Sequence, residues 1–203
     1  MTLVVQFLIA AAVLFAAFAV LGLAVAKRAP SGFDLTIASL RGAGESAAVA
    51  FTTTGRTPAL VLLSVSIALV FAVMRWPLWI PALVIASQLF SQGLVEGFKR
   101  LYRRNRPDWL LRHETGLSYP SGHATTSVTF FGSWAAVLLL SPEPRVAKIA
   151  CVALLAIWML GIDWSRLALA AHYATDVIGG TLFGCGWLCL VAAAVVHVRG
   201  ALA

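Results

Sequence analysis

Residues Pro120–Leu140 read PSGHATTSVTFFGSWAAVLLL. Proline, serine, glycine and histidine open the stretch, and the 17 residues after them carry no charge. A helix needs about 20 mostly apolar residues to span a bilayer. The run therefore predicts a membrane helix with its one reactive side chain, His123, at the mouth. Working outward, a basic loop over residues 99–119 precedes it and an apolar run over 78–98 precedes that. Downstream, Ser141-Pro142-Glu143-Pro144-Arg145 is a tight break, followed by an apolar run over 146–162. A short polar turn, Asp163 to Ala171, then leads into a last run over 172–198.

Two further apolar runs, 3–26 and 58–74, stand before these. Arg75-Trp76-Pro77 breaks the second from the third, and an extramembrane loop with a short amphipathic helix around Phe33 to Leu40 fills residues 27–57. Ala24-Val25-Ala26 resembles a signal cleavage site. The first run, however, lacks a basic leader and outlasts a typical signal core, so it reads as a retained span. No internal repeat is evident. The predicted fold is all-α: one integral-membrane domain over 1–203, with six transmembrane helices at about 3–26, 58–74, 78–98, 120–140, 146–162 and 172–198. Trp76, Trp79, Trp109, Tyr119, Trp164 and Tyr173 fall near predicted helix ends, where aromatic belts form.

Composition agrees. Of 203 residues, 61% are hydrophobic and 11% charged, with a mean hydropathy of +0.91, against about a quarter charged in soluble domains. The net charge is +7, and six of the 15 basic residues crowd into residues 99–112. Such a cluster beside apolar helices fits a phosphate-bearing substrate or anionic headgroups, not nucleic acid. Cys151, Cys185 and Cys189 lie inside apolar runs and read as small buried hydrophobes, with no disulfide framework and no metal-ligand spacing.

Three polar groupings interrupt this pattern: Lys99 with Arg106-Pro107, Pro120-Ser121-Gly122-His123, and Ser165-Arg166 with His172 and Asp176. Counting spans puts all three on one membrane side, whichever way the chain is oriented. Phosphoryl transfer needs positive charge around the equatorial oxygens, an in-line nucleophile and an acid for the leaving group. Lys99, Arg106 and Arg166 supply charge, the arginines as planar forks that match phosphate. The start of the fourth span offers backbone N–H groups at Ser121, Gly122 and His123, with Pro120 in the first turn. His172 and Asp176, four residues apart on a helix, share a face, so the carboxylate fixes the imidazole tautomer and frees the other nitrogen to attack. His123 is left to protonate the leaving group and then to activate water. No metal ligand set is visible and no cofactor is implied.

These groups match the signature K-x6-RP, PSGH and SR-x5-H-x3-D, and by them the chain resembles the type-2 phosphatidic acid phosphatase (lipid phosphate phosphatase) superfamily, in its bacterial membrane-bound form. The resemblance implies hydrolysis of a membrane lipid phosphate or diphosphate through a phosphohistidine, without metal. His172 would be the nucleophile, Asp176 its orienting carboxylate and His123 the acid, with Lys99, Arg106, Ser121, Gly122 and Arg166 binding phosphate. Substrates of the undecaprenyl diphosphate, phosphatidylglycerophosphate, phosphatidate and lipid A phosphate type follow from it. So does a bacterial inner-membrane location with the site facing the periplasm or exterior. One departure is Ala170, where many members carry glycine.

Other residues have plainer readings. Glu96 is taken as a local partner of Lys99 or Arg100. His113 and Glu114 are taken as solvated loop, and Arg100, Arg103, Arg104 and Arg112 as attractors of anionic substrate or grips on headgroups. A lipid-to-lipid phosphotransferase is the alternative within the enzyme class. A transporter or binding protein fits less well, since its polar groups belong near mid-membrane. Charge bias opposes the orientation implied by the resemblance. Lys27, Arg28, Arg41, Arg56 and the basic loop lie on the motif side, against Arg75, Arg145, Lys148 and Arg199 on the other.

Overall fold

The computed structural model describes residues 1–202, with side-chain surroundings through Val198. Arg199, counted in the charge balance above, has its side chain outside the described residues. The described residues form eight α-helices: α1 Leu3–Val25, α2 Gly32–Ile37, α3 Glu45–Thr54, α4 Thr57–Val73, α5 Trp79–Tyr102, α6 Gly122–Leu140, α7 Arg145–Ala168 and α8 Ala174–Leu202. A 3-10 turn, Ala38–Leu40, extends α2 and completes the short helical segment expected there, although its buried residue is Asp34 while Phe33 and Leu35 are exposed.

Helices α1, α6, α7 and α8 are each long and apolar enough to cross a membrane. A fifth crossing is available if α3 and α4, bent by 55° at Gly55-Arg56, act as one. Helix α5 has 24 residues, about 36 Å at 1.5 Å per residue, but is less apolar because of Ser87, Gln88, Ser91 and Gln92. Those side chains point inward: Gln88 accepts from Thr129 at 2.6 Å, and Gln92 donates to the Gly122 carbonyl at 3.3 Å. The polarity lowering its hydropathy is spent on helix contacts.

The bundle is apolar outside and partly polar inside. Val13, Val20 and Leu23 of α1 and Leu154, Ile157 and Leu160 of α7 are exposed, whereas Thr125, Thr126, Ser127 and Thr129 of α6 are buried. In hydrocarbon such hydroxyls satisfy themselves across or along helices. Thr125 donates to the Gly180 carbonyl at 3.1 Å, and Ser127 donates to Asp163 at 3.1 Å. Helix α6 is central, packing on α5, α7 and α8, while α1 lies along α8. The closest approach to backbone is at Gly180 of α8, where a Cβ would stand 2.5 Å from the Ser121 carbonyl oxygen, so only glycine lets α8 reach the mouth of α6.

Several expectations are corrected. Helix α7 runs to Ala168, so Ser165 and Arg166 sit in its last turn rather than in a loop, and Asp163 is a buried helix residue. Helix α8 begins at Ala174, so His172 lies just before it. Pro120 precedes the cap residue Ser121 instead of occupying the first helical turn. Tyr119 is no belt residue: it is fully buried and donates to the Phe18 carbonyl at 2.7 Å. Cys151 is exposed on the apolar outer face, and Cys185 and Cys189 are half-buried.

Candidate active site

The C-terminal ends of α5 and α7 and the N-terminal ends of α6 and α8 meet at one end of the bundle, and all the signature residues gather there. The loop after α5 carries Arg106, whose Nε and Nη2 donate to the carbonyls of Gly116 and Thr115, each at 3.1 Å. Its Nη1 donates to the Ala171 carbonyl at 2.8 Å and stands 3.2 Å from His172 Nε2. A guanidinium can only donate, so Nε2 is the acceptor and the imidazole proton belongs on Nδ1. That nitrogen faces Asp176 Oδ2 at 3.6 Å, a distance typical of catalytic pairs that tighten with substrate bound. The shared side of His172 and Asp176 is thus real but is not a helical repeat: Asp176 sits in the first turn of α8, accepting the Tyr173 N–H at 2.9 Å. His172 is held well below its ordinary pKa, first by burial and then by the charges of Arg106, Arg166 and Lys99. The imidazole is neutral and able to attack.

Helix α6 supplies His123 in its first turn. The Nε2 of His123 is buried and has no hydrogen-bond partner among the described residues. The expected three free N–H groups reduce to two, because the Ser121 N–H donates to the Asp176 carbonyl at 3.0 Å. Ser121 is fully buried and its hydroxyl caps α6 by accepting from the Ala124 N–H at 3.4 Å. At Gly122 a Cβ would meet protein no closer than 3.5 Å, with Lys99 Nζ at 3.7 Å. Packing alone does not require glycine there; what it leaves bare is the approach to Lys99. The lysine is salt-bridged to Glu96 at 2.7 Å, the local pairing expected.

Arg166 is fully buried. It donates through Nη1 to Thr52 and through Nη2 to Glu114 at 2.8 Å, which spends two of its five N–H groups and leaves Nε unpartnered among the described residues. Glu114 is therefore part of the site rather than solvated loop. Burial draws its carboxyl upward, but Arg166 and then Arg106 outweigh that and hold it below the usual range. The bend between α3 and α4 closes the same side, with Thr52 on Arg166 and Gly55 so near that a Cβ would stand 3.1 Å from the His123 ring. On the opposite side Ile37 and Ala38, together with Pro107, Trp109 and Tyr173, line a small cavity against His172.

Arg104 is not a surface grip. It is 1% exposed and bonded to Asp34 and Asp176. Arg112 pairs with Glu45 at the surface, at 2.9 Å. None of Thr52, Asp34, Arg104 or Glu114 was legible as a site residue, because each is defined by a partner at least 52 positions away.

Ala170 adopts φ +52°, a left-handed conformation that costs an L-residue about 1–2 kcal/mol. The missing glycine therefore shows as strain two residues before His172. Ala170→Gly is expected to stabilise the protein by a net of about 0.5–1 kcal/mol, after the extra freedom of glycine in the unfolded chain is deducted. A raised thermal midpoint in detergent checks this, and a lowered one counts against it.

Known proteins share sequence and fold with this chain. The chain is 41% identical over 134 residues to a lipid A 1-phosphatase of Rhizobium etli, covering 60% of this chain and 52% of that one. It is 41% identical over 84 residues to phosphatidylglycerophosphatase B of Escherichia coli K12, covering 39% and 30%. The chain thus spans about half the length of the first of these relatives, and less of the second. A transmembrane phosphatidylglycerolphosphate phosphatase of the same superfamily type from Bacillus subtilis shares the fold, with a TM-score of 0.80 at 24% identity over 93% of this chain and 96% of that one. The family model itself matches residues 77–199, the stretch that carries Arg106, His123, Arg166, His172 and Asp176, and the chain belongs to the PAP2 superfamily.

Proposed function

We propose that the protein is an integral-membrane phosphatase that removes phosphate from a lipid phosphate or diphosphate through a phosphohistidine on His172. The observation that carries this reading is the Arg106 Nη1 contact to His172 Nε2 at 3.2 Å. It supports Nε2 as the attacking nitrogen, because a guanidinium can only donate to it, and Arg106 as a phosphate-binding cation beside it. On binding, the phosphate accepts from Arg106, Lys99, the free donors of Arg166 and the Gly122 and His123 N–H groups. His172 Nε2 attacks phosphorus in line, its Nδ1–H staying on the ring and donating to Asp176, whose negative charge stabilises the imidazolium that forms. His123 gives the leaving oxygen a proton, then takes one from the water that cleaves the phosphohistidine. Side-chain cations neutralise the developing charge, so no metal enters the scheme.

The bundle crosses the membrane six times in this reading, with α5 counted because its polar side chains face α6. It is read as one domain in a bacterial inner membrane, with the site at the rim facing the periplasm or exterior. Burial of Arg104 in an ion pair and of Arg166 in the site, with Arg106 half-buried there, weakens the charge bias against that orientation. Labelling of single cysteines at Thr115 and Ser141, in a chain freed of its three native cysteines, reads it directly. A membrane-impermeant reagent reaching Ser141 but not Thr115 from outside would reverse the orientation.

The function is tested by phosphate release in detergent, with EDTA, from phosphatidylglycerophosphate, phosphatidate, lipid A 1-phosphate and undecaprenyl diphosphate. Release from at least one of them, undiminished by EDTA, is expected. Loss of activity with EDTA would contradict a site built on side-chain cations. The acidic limb of kcat/KM, which reports the free enzyme, is expected below the ordinary imidazole value of about 6.5. The sign follows from the depressed His172: the attacking form persists as pH falls until the lowered pKa is crossed. A limb above pH 7 would contradict it.

A further inference from the structure

Resting on the reading of His172 and Asp176 above, we infer that Asp34, in the segment before the second apolar run, is a positioning residue for the catalytic carboxylate. It lies outside residues 77–199, on a six-residue helix, and is 2% exposed. Its carboxylate accepts the Ser31 N–H at 3.1 Å, the Thr175 N–H at 2.9 Å, the Thr175 hydroxyl at 2.8 Å and Arg104 Nη2 at 2.9 Å. These donors outweigh the burial that would raise it and hold the group below the usual carboxylate range. The anion therefore serves as a foreign cap for α8, the helix that carries Asp176, by taking one of its first-turn N–H groups.

The more specific effect runs through Arg104. An arginine and a carboxylate prefer to pair through two parallel bonds, yet Arg104 reaches Asp176 with Nη1 alone, on Oδ1 at 2.6 Å. Its Nη2 is held away by Asp34, Nη1 also donates to the Thr175 hydroxyl at 2.6 Å, and the guanidinium lies 4.2 Å over the Tyr173 ring. Oδ2 of Asp176 is thereby left to the Ser118 hydroxyl, the Tyr173 N–H and His172 Nδ1. Without the Asp34 charge, Arg104 is free to swing onto both oxygens of Asp176. It would then compete for the lone pair that faces His172 and neutralise the charge that stabilises the imidazolium. Asp34 never touches substrate; it keeps Asp176 available to His172.

The test is a double-mutant comparison on the purified full chain, using phosphatidylglycerophosphate hydrolysis, or the lipid phosphate ranking first in the panel above, and vanadate as the phosphate mimic. Asp34→Asn is expected to lower kcat roughly 10- to 100-fold, the range for a lost supporting contact. KM and the vanadate Kd should move less than threefold, because Lys99, Arg106 and Arg166 are untouched. In an Asp176→Asn background the same change should cost less than threefold more, since its route of action is already gone. Equal losses in both backgrounds would show a role in folding only and overturn the inference, as would no loss in the wild-type background. Full activity of Asp176→Asn would instead overturn the underlying reading, and this one with it. Should Asp34→Asn not fold, Thr175→Val removes the hydroxyl between Arg104 and Asp34 and carries the same comparison, with Thr175→Ser expected to recover kcat to within threefold of wild type.

Discussion

His172→Ala is expected to cut phosphate release by at least about 10⁴-fold. Removal of a covalent nucleophile costs about 10⁶-fold in a well-characterised hydrolase, the residual rate coming from the rest of the site. Here the rest of the site survives, since His172 contributes no hydrogen bond on which Arg106, Arg166 or His123 depends for its place. Arg106 keeps its three carbonyl partners and Arg166 keeps Thr52 and Glu114. The variant should therefore still bind vanadate while failing to turn over. His123→Ala removes the acid without removing the nucleophile and should cost less, on the order of 10²–10⁴-fold. The penalty should be smallest for substrates whose leaving group needs no proton. Parallel rate measurements on the two variants check the division of labour: equal small losses would argue that His172 does not attack phosphorus and His123 does not protonate the leaving group.

Arg104→Met is expected to destabilise the protein by about 3–5 kcal/mol, the cost of removing one partner from a buried ion cluster. Arg104, Asp34 and Asp176 are each no more than 2% exposed. Loss of the cation leaves two carboxylates facing each other without water. Against a total stability of about 5–15 kcal/mol, that is a loss of expression or a steep fall in thermal midpoint. The nearby Arg100 is exposed, and Arg100→Ala should stay within about 0.5 kcal/mol. Thermal unfolding of the two variants side by side separates them, and similar midpoints would contradict the buried cluster.

Arg100 and Arg104 look alike in the sequence, both members of one basic segment, yet only Arg104 is buried. The reactive residues were legible because an ionisable group at the end of an apolar run is rare and costly, so Lys99, His123, Arg166, His172 and Asp176 stood out against their surroundings, and Arg106 by its spacing from Lys99 and the Pro107 after it. In a loop already rich in polar residues, nothing marks one arginine as buried. Arg104 acquires its role only when the chain brings Asp34 and Asp176 to it from 70 and 72 positions away. Glu114 and Thr52 gained their places around Arg166 in the same way. Helix α3 was missed for a related reason: its apolar face is too short to show a period and becomes meaningful only against α7. Helix ends were the other weak point. The polar residues Asp163, Ser165 and Arg166 read as a turn, but in the folded chain they are the last inward-facing turns of α7, satisfied by Ser127, the Ile162 carbonyl and Thr52.

The central claim, a covalent phosphohistidine at His172, is tested most directly by rapid quench of the enzyme with a phosphorus-32-labelled lipid phosphate substrate, followed by peptide mapping under alkaline conditions. The account predicts an acid-labile, alkali-stable label, approaching one equivalent per active site if hydrolysis of the intermediate is slow, on the peptide that contains His172. The label should be absent from His172→Ala. Label persisting in that variant, or its accumulation on a different residue, would contradict the account.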